Sequence, residues 1–214
     1  MRVPDLTSPD WADQTEQAVL DQALILAPKA GWTLAMVRAA GLACGLTAPE
    51  TDLLLPGGPA DLAALLSRRH DAQALAALPD PAGLKIRARI RAALEARLEA
   101  ASRDEAAVRR WAGWLALPRN LPLALRLTWE SADGLWRWAG DLATDENHYS
   151  KRAILSAILI SALALRLQSG REAAMAFVDA RIENVMAFEV WKAGLKPGDL
   201  VRDFAAALGA LRYR

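Results

Sequence analysis

The sequence predicts an all-α protein, and three observations support this fold class. Alanine and leucine dominate the chain, β-branched residues are scarce, and the polar–apolar alternation typical of strands is nearly absent. With 214 residues, of which 53% are hydrophobic, the chain can bury a substantial core. Because Cys44 is the single cysteine, an internal disulfide is excluded and a reducing compartment is expected.

Helix-breaking residues divide the chain into about ten predicted helical segments. The first runs from about residue 11 to 29, Thr33 can cap a short second helix to Ala40, and a third lies near 48–55. Pro59 suits the first turn of a fourth helix. Breaks are expected at Gly31, Gly41, 55–59, 78–83, 117–122, Gly140, Gly170 and 194–199.

The second half of the chain is also predicted to be helical. Residues 84–92 alternate like a strand, but apolar residues recur at every fourth position from Ile90, which favours a helix. Residues 102–105 read as a capping box before the next helix, and Thr144 is predicted to start a long helix. That helix includes the apolar stretch 153–167.

The stretch 153–167 raises the question of membrane insertion. As a helix it would span about 22 Å, which is less than the roughly 30 Å of a bilayer core. It also contains Ser156, Ser161 and Arg166, and the first residues carry no signal-peptide pattern. We therefore expect a buried helix in a soluble protein.

The residue patterns that usually mark an enzyme are sparse. The chain has two histidines, His70 and His148, and no Glu-x-x-His unit of the kind that di-iron bundles require. It contains no Gly-x-Ser-x-Gly elbow, phosphate loop or dinucleotide fingerprint. We therefore predict no catalytic residue, no metal and no cofactor. One alternative stays open, in which Asp145, His148 and Tyr149 carry out proton transfer.

The first fifty-odd residues have the layout of a helix-turn-helix, with a short apolar helix after Gly31 and a third helix behind it. This layout resembles the amino-terminal module of TetR-type repressors. A module that reads DNA should carry basic and amide side chains on and beside its third helix. Here residues 39–67 contain no Lys or Arg and include three carboxylates. We interpret the module as a relic that binds no nucleic acid.

Four basic residues cluster at Lys85, Arg87, Arg89 and Arg91. On a helix they spread around much of the circumference, so a solvated flank is the simpler interpretation. A weak contact with anionic lipid headgroups stays open as the alternative.

The last segment, 199–214, is predicted to form an amphipathic helix. It would either dock on its own protein or lie on a membrane surface. Its apolar arc, which would bind the membrane in the second case, consists of Leu200, Val201, Phe204, Leu208 and Leu211.

Two stretches carry an ordered set of rare residues, "LPRNLP" at 117–122 and "LWRWAGDLATDENHYSKRAIL" at 135–155. They resemble the signature of the coenzyme Q biosynthesis accessory proteins, a lipid-binding family with a TetR-like fold. The resemblance is strong from about 115 to 155 and elsewhere depends on helix order. The matching positions are Leu117, Pro118, Asn120, Leu121, Pro122, Trp136, Trp138, Ala139, Gly140, Asp141, Thr144, Asp145, Asn147, Tyr149, Ser150, Lys151 and Arg152.

The resemblance implies a homodimeric, non-catalytic protein that binds isoprenoid quinone intermediates or phospholipid at the membrane. It would present quinone intermediates to the di-iron demethoxyubiquinone hydroxylase of ubiquinone synthesis. His148 stands where the family often has Trp, which is a stronger interface anchor. The implied hydroxylase-binding residues are Asp145, Asn147, His148, Tyr149 and Arg152. The alternative is that these residues only pin two helices together.

Large apolar residues on the predicted helices are the candidates for lining the lipid site, with ordinary core packing as the alternative for each. We expect a helix-turn-helix-like module over 1–56, a lipid-binding and dimerisation domain over 57–195, and a membrane-associating helix over 196–214. The expected location is the cytoplasm, peripheral on the inner membrane. A TetR-type regulator that senses an apolar ligand is the main alternative. The candidate lipid-binding residues are Trp111, Trp114, Leu125, Trp129, Leu135, Leu159 and Leu163.

Overall fold

The computed structural model describes residues 10–141 and 146–194, with side chains described over 10–141 and 148–184. This part of the chain is all-α, which confirms the predicted fold class, and the helical layout is consistent with a TetR-like fold. Two short 3-10 turns, Pro81–Gly83 and Pro118–Asn120, lie between helices. The helices are α1 (Trp11–Ala30), α2 (Leu34–Ala43), α3 (Ala48–Leu54), α4 (Pro59–Ala77), α5 (Ile86–Ser102), α6 (Glu105–Leu115), α7 (Leu121–Trp138) and α8 (Glu146–Gly194).

The first of two apolar cores joins α1, α2, α4 and α6. It is filled by residues such as Leu20, Met36, Leu62 and Val108, each less than 2% exposed. Because α4 and α6 complete this core, the packing of the amino-terminal module extends across the predicted boundary at residue 56. The module is therefore held firmly on the body.

Local capping explains several helix starts in this half. Thr33 accepts a hydrogen bond from the backbone N–H of Met36, as predicted for the start of α2. Thr47 and Glu50 form a reciprocal capping box at α3, which the sequence analysis missed. The capping box predicted at 102–105 is wrong, because Ser102 is the last residue of α5 and donates to the carbonyl oxygen of Glu99.

The predicted break at Gly41 is also wrong, because α2 continues through it to Ala43. Gly41 is buried, and a Cβ placed on it would lie 2.1 Å from Oγ1 of Thr51, which is itself fully buried on α3. The glycine thus permits a close crossing of two helices. Sequence position alone does not separate this role from that of a helix stop.

The second core joins α5, α7 and α8. The predicted break at Gly170 is confirmed, since its φ of 86° and ψ of −176° are not helical and divide α8 into 146–169 and 171–194. Arg166 lies 3.9 Å from Glu99 near the end of α5, whereas Ile182 lines the same pocket as Ile86 at its start. The second part of α8 therefore turns back along α5.

The basic cluster predicted on 85–91 ties α5 to its neighbours. Arg87 pairs with Glu183 at 3.0 Å and Arg91 with Asp179 at 2.7 Å, both on the second part of α8. Arg89 donates to the carbonyl oxygens of Leu84 and Ala139. Three of the four basic side chains therefore contact neighbouring elements, while Lys85 and Arg87 are also exposed, so the solvated-flank interpretation holds in part.

In the described part, one helix is long and apolar enough to cross a membrane by length and composition alone, over His148–Asn184. That range is interrupted at Gly170, and the predicted segment 153–167 lies within the first part of α8, 146–169. Its residues Leu155, Leu159 and Ala162 are buried against α5 and α7, as expected for a core helix.

Candidate functional site

The signature segment forms the corner at which α7 ends and α8 begins. Ala139 caps α7 and Gly140 takes a φ of 90°, so the chain turns sharply where the sequence predicted a break. Nε1 of Trp136 donates to the carbonyl oxygen of Lys151 at 3.1 Å, which ties the last turn of α7 to the first turns of α8. Asp145 and Thr144 lie outside the described residues.

Ion pairs hold this corner from the inside. The Arg152 side chain is 1% exposed, and its Nε lies 2.5 Å from Oδ1 of Asp133 while its Nη1 lies 3.1 Å from Oδ2 of Asp141. The other oxygen of Asp141 is 2.8 Å from Nζ of Lys151. Burial by itself would raise the pKa of Asp141, but the bonds from Lys151 and Arg152 outweigh it and hold that pKa below its usual value.

Arg152 therefore lies where we expect it if the corner residues only pin two helices together, which is the alternative to partner binding. Its charge lies between two carboxylates and beneath the surface, where a protein partner cannot reach it without rearrangement. The carboxylates of Asp133 and Asp141 come from α7 and from the link that follows it, so the pair fixes the crossing of α7 and α8.

Tyr149 occupies the opposite, outer side of the corner. It is 65% exposed, and its ring stacks on Trp129 with centroids 6.2 Å apart and an interplanar angle of 29°. His148 meets Tyr149 edge to face at 5.2 Å and is half-buried. Asn147 belongs to α8, but its side chain lies outside the described part. Tyr149 is thus the predicted partner-binding residue that is plainly displayed on the surface.

A groove runs along the inner side of the same corner, between α5 and the two parts of α8. Its cavity volume is about 460 Å³. Its polar rim consists of Arg87, Arg89, Asp141, Ser150 and Lys151, and its other walls are mainly aliphatic. The apolar lining residues are Ile86, Ile90, Trp136, Ala139, Ile154, Leu155, Ile158 and Ile182. We call this space the isoleucine groove.

The seven predicted lipid-binding residues do not converge on one cavity. Trp111, Leu159 and Leu163 surround a space of about 40 Å³, which is little more than the volume of one water molecule at about 30 Å³. Trp111 also donates from Nε1 to the carbonyl oxygen of Ala63 within the first core. Leu135 is buried in the second core, and Leu125 is 62% exposed. The remaining two, Trp114 and Trp129, are half-buried.

The groove residues were missed, although the sequence contains a signal for them. Ile86 and Ile90 are spaced by four residues, as are Ile154 and Ile158, so each pair forms one stripe on a helix. What the sequence does not indicate is that Gly170 brings Ile182 back beside both stripes. The groove depends on that reversal.

Arg38 directly precedes the stretch 39–67 of the helix-turn-helix module, and its side chain is paired within that module. Arg38 donates from Nε and Nη2 to the carboxylate of Asp52 on α3, at 3.1 and 2.7 Å. This bond holds the pKa of Asp52 below its usual value. A cation paired in this way offers little to DNA phosphates, which weakens the regulator alternative.

The described side chains do not form a metal site. Within residues 10–141 and 148–184, no three His, Cys, Asp or Glu side chains lie close enough together to hold an ion. The buried His70 lies 3.8 Å from Asp104, which is too far for a hydrogen bond, and burial lowers its pKa to about 3. Its imidazole is therefore neutral at physiological pH.

Comparison with known proteins confirms the family resemblance. The COQ9 family model matches residues 121–189, which contain α7, the corner and most of α8. Ubiquinone biosynthesis protein COQ9-B, mitochondrial, from Xenopus laevis is 26% identical over 81% of this chain and 63% of its own length. The COQ9 proteins of Xenopus tropicalis and Homo sapiens are 27% and 25% identical over 81% of this chain, and each is covered over 58% of its length. The chain thus spans about three fifths of these relatives.

Proposed function

We propose that this chain is a lipid-binding accessory protein of ubiquinone biosynthesis that catalyses no reaction itself. It binds isoprenoid quinone intermediates, or phospholipid in their place, and presents the intermediates to the di-iron demethoxyubiquinone hydroxylase. The relatives' name, ubiquinone biosynthesis protein, supports the pathway, and the family match over residues 121–189 supports the use of α7 and α8.

The isoleucine groove is the observation that carries this proposal. Its volume of about 460 Å³ falls within the roughly 300–1,000 Å³ of typical ligand sites, and its walls are aliphatic except at the rim. An isoprenoid tail needs apolar walls and no charge, whereas a quinone head accepts hydrogen bonds. Lys151 and Ser150 at the rim could donate such bonds.

Two larger concavities lie on the amino-terminal half. One of about 700 Å³ includes Glu16 and Glu50 in its lining, and one of about 600 Å³ includes three arginines. Both lie outside residues 121–189, which the family model matches, whereas most residues that line the isoleucine groove lie inside that range.

Cargo and docking surface are adjacent in this proposal. Ser150 and Lys151 border the groove, while Tyr149, one residue earlier, is displayed on the outside of α8. A hydroxylase that contacts Tyr149 and Trp129 would therefore lie beside the mouth of the groove. Because the groove and the docking surface are adjacent, the quinone head would have a short way through water to the hydroxylase.

The homodimer is also part of the proposal. Leu125 of α7 and Ile160 of α8 are 62% and 46% exposed, and their helices contact each other where Ser156 donates to the carbonyl oxygen of Thr128. A second copy would cover these side chains. Replacing Leu125 by Glu should convert a dimer to a monomer in light-scattering chromatography, and a persistent dimer would exclude this face.

Filling the groove tests the lipid proposal directly. Ile154 lines the groove and is 41% exposed, so Ile154→Trp should occupy space without overpacking the core. We expect mass spectrometry of lipids retained through purification to show a large loss for this variant. Ile25→Trp is the matched control, since Ile25 is 69% exposed on α1 and far from the groove. Equal lipid content in wild type and Ile154→Trp would contradict the proposal.

A further inference from the structure

We infer that a second surface of this chain, formed by α6 and its flanking turns, binds the anionic phospholipid headgroups of a bilayer. This inference goes beyond the function proposed above and depends on residues outside the isoleucine groove, so the two can fail separately. Three arginines, Arg109, Arg110 and Arg119, line an open concavity of about 600 Å³. We call this surface the arginine shelf.

The floor and edges of the arginine shelf are apolar. Trp114 lies half-buried in it, and Leu34 and Leu117 are 44% and 41% exposed at its edges. Tryptophan and leucine side chains at an otherwise charged surface suit the boundary between headgroups and acyl chains. A soluble anion would gain nothing from these residues, whereas a phospholipid would.

The charge of the shelf is strongly one-sided. The whole chain carries 26 basic and 25 acidic residues and a net charge of +1. Among the described residues that line the shelf and the adjoining concavity of about 580 Å³, three are arginines and one, Glu105, is a carboxylate. Glu105 pairs with Arg109 at 2.6 Å, so the excess positive charge is centred on Arg110 and Arg119.

Hydrogen bonds position the Arg110 side chain and the turn that carries Arg119. Arg110 donates from Nε to the carbonyl oxygen of Pro28, which fixes its guanidinium beside the end of α1. Asn120 donates to the carbonyl oxygen of Trp114 at 2.7 Å, so the turn that contains Arg119 is fastened to α6. Guanidinium groups positioned in this way can form paired hydrogen bonds to phosphate oxygens.

This arrangement also explains part of the signature segment 117–122. Its asparagine, Asn120, anchors the turn, and Pro122 lies in the first turn of α7. The position between Pro118 and Asn120 is Arg119, whose side chain is exposed. In contrast, the basic cluster on α5 is largely committed to Glu183, Asp179 and backbone carbonyls. These pairings leave the cluster on α5 with less free positive charge for lipid contact than the arginine shelf.

The test is vesicle flotation of the full chain with phosphatidylcholine vesicles that contain one third phosphatidylglycerol. We expect the double variant Arg110→Glu/Arg119→Glu to bind at least about tenfold more weakly, since each basic residue at an anionic surface contributes about one kcal/mol. Arg110→Lys/Arg119→Lys should keep most of the binding. Arg68→Glu is the charge-matched control for the single variants Arg110→Glu and Arg119→Glu, because Arg68 is exposed on α4 outside the shelf, and it should bind like wild type.

Three results would overturn the inference. Flotation of the glutamate double variant at the wild-type level would show that the shelf does not bind the bilayer. If wild type bound pure phosphatidylcholine vesicles as well as vesicles with phosphatidylglycerol, the anionic headgroup would not be the ligand. Displacement of wild type from the vesicles by inorganic phosphate would point to a free anion. Circular-dichroism melting should show that both double variants remain folded.

Discussion

The guanidinium of Arg152 lies between the carboxylates of Asp133 and Asp141, with its Nε 2.5 Å from the first and its Nη1 3.1 Å from the second. A buried charge without its partners is strongly unfavourable, so this relationship makes Arg152 a structural residue of the corner. Its position in the signature segment is explained by the crossing of α7 and α8 that it fixes.

Replacing Arg152 by Ala should lower the free energy of unfolding by about 3–5 kcal/mol, because Asp133 and Asp141 would each lose their buried cationic partner. Arg137→Ala is the matched control: Arg137 also pairs with Asp133, at 2.8 Å, but is 71% exposed. The control should cost about 0–1 kcal/mol. Urea denaturation of both variants measures the difference, and equal losses would mean that the burial of Arg152 is unimportant.

Tyr149→Ala should separate docking from stability. The side chain is 65% exposed and contributes a ring stack to Trp129, so its removal should change the free energy of unfolding by no more than about 1 kcal/mol. If the corner docks the hydroxylase, a pull-down of that enzyme should fall several-fold. Lipid content should stay at the wild-type level. Retention of the enzyme would favour a purely structural corner.

Gly41→Ala should destabilise the amino-terminal module by about 1–3 kcal/mol, because the new methyl group would overlap the buried Thr51. Gly134→Ala on α7 provides a control of opposite sign. A Cβ at Gly134 meets nothing within 4 Å, so this change should stabilise the helix by about 0.5–1 kcal/mol. Thermal unfolding of the two variants should therefore shift in opposite directions.

Stability should depend on pH through His70. Burial, aided by the charges of Arg97, Arg69 and Arg103, lowers the pKa of His70 from 6.5 to about 3, so the folded chain takes up this proton only near pH 3. The unfolded chain takes it up near pH 6.5, so acid favours unfolding over that window. Between pH 6.5 and about 5 we expect a loss of about 2 kcal/mol in urea denaturation. His70→Leu should remove this part of the pH dependence.

Deleting 197–214 should reduce flotation with liposomes while leaving far-UV helicity mostly intact. The expectation comes from the apolar arc of the sequence, since these residues lie outside the described part. If the shortened chain floats as well as the full chain, the terminal segment is not the membrane anchor. The arginine shelf would still be testable in that case.

Local signals allowed much of the fold to be predicted. Thr33, Gly31 and Pro59 mark helix ends by chemistry that acts over a few residues, and the structure confirms each of them. Gly41 was misread because its role depends on Thr51, ten residues away and on another helix. Neighbouring residues do not indicate which glycines serve close packing.

The candidate site was predictable only in part. The corner was found because its residues are rare and contiguous, and the exposure of Tyr149 agrees with a docking role. Arg152 looked like a surface cation because its partners, Asp133 and Asp141, are 19 and 11 positions away in sequence. The isoleucine groove was missed because Ile86 and Ile182 meet only after the chain reverses at Gly170.

That reversal has a mechanical consequence. The two parts of α8 that border the isoleucine groove are joined at Gly170, so a change in their relative angle would pass through the torsion angles of that residue. A small rotation there would widen the mouth near Ile154 and Ile182 while every helical turn stayed intact. Loading and release of a bulky guest would then require bending rather than melting.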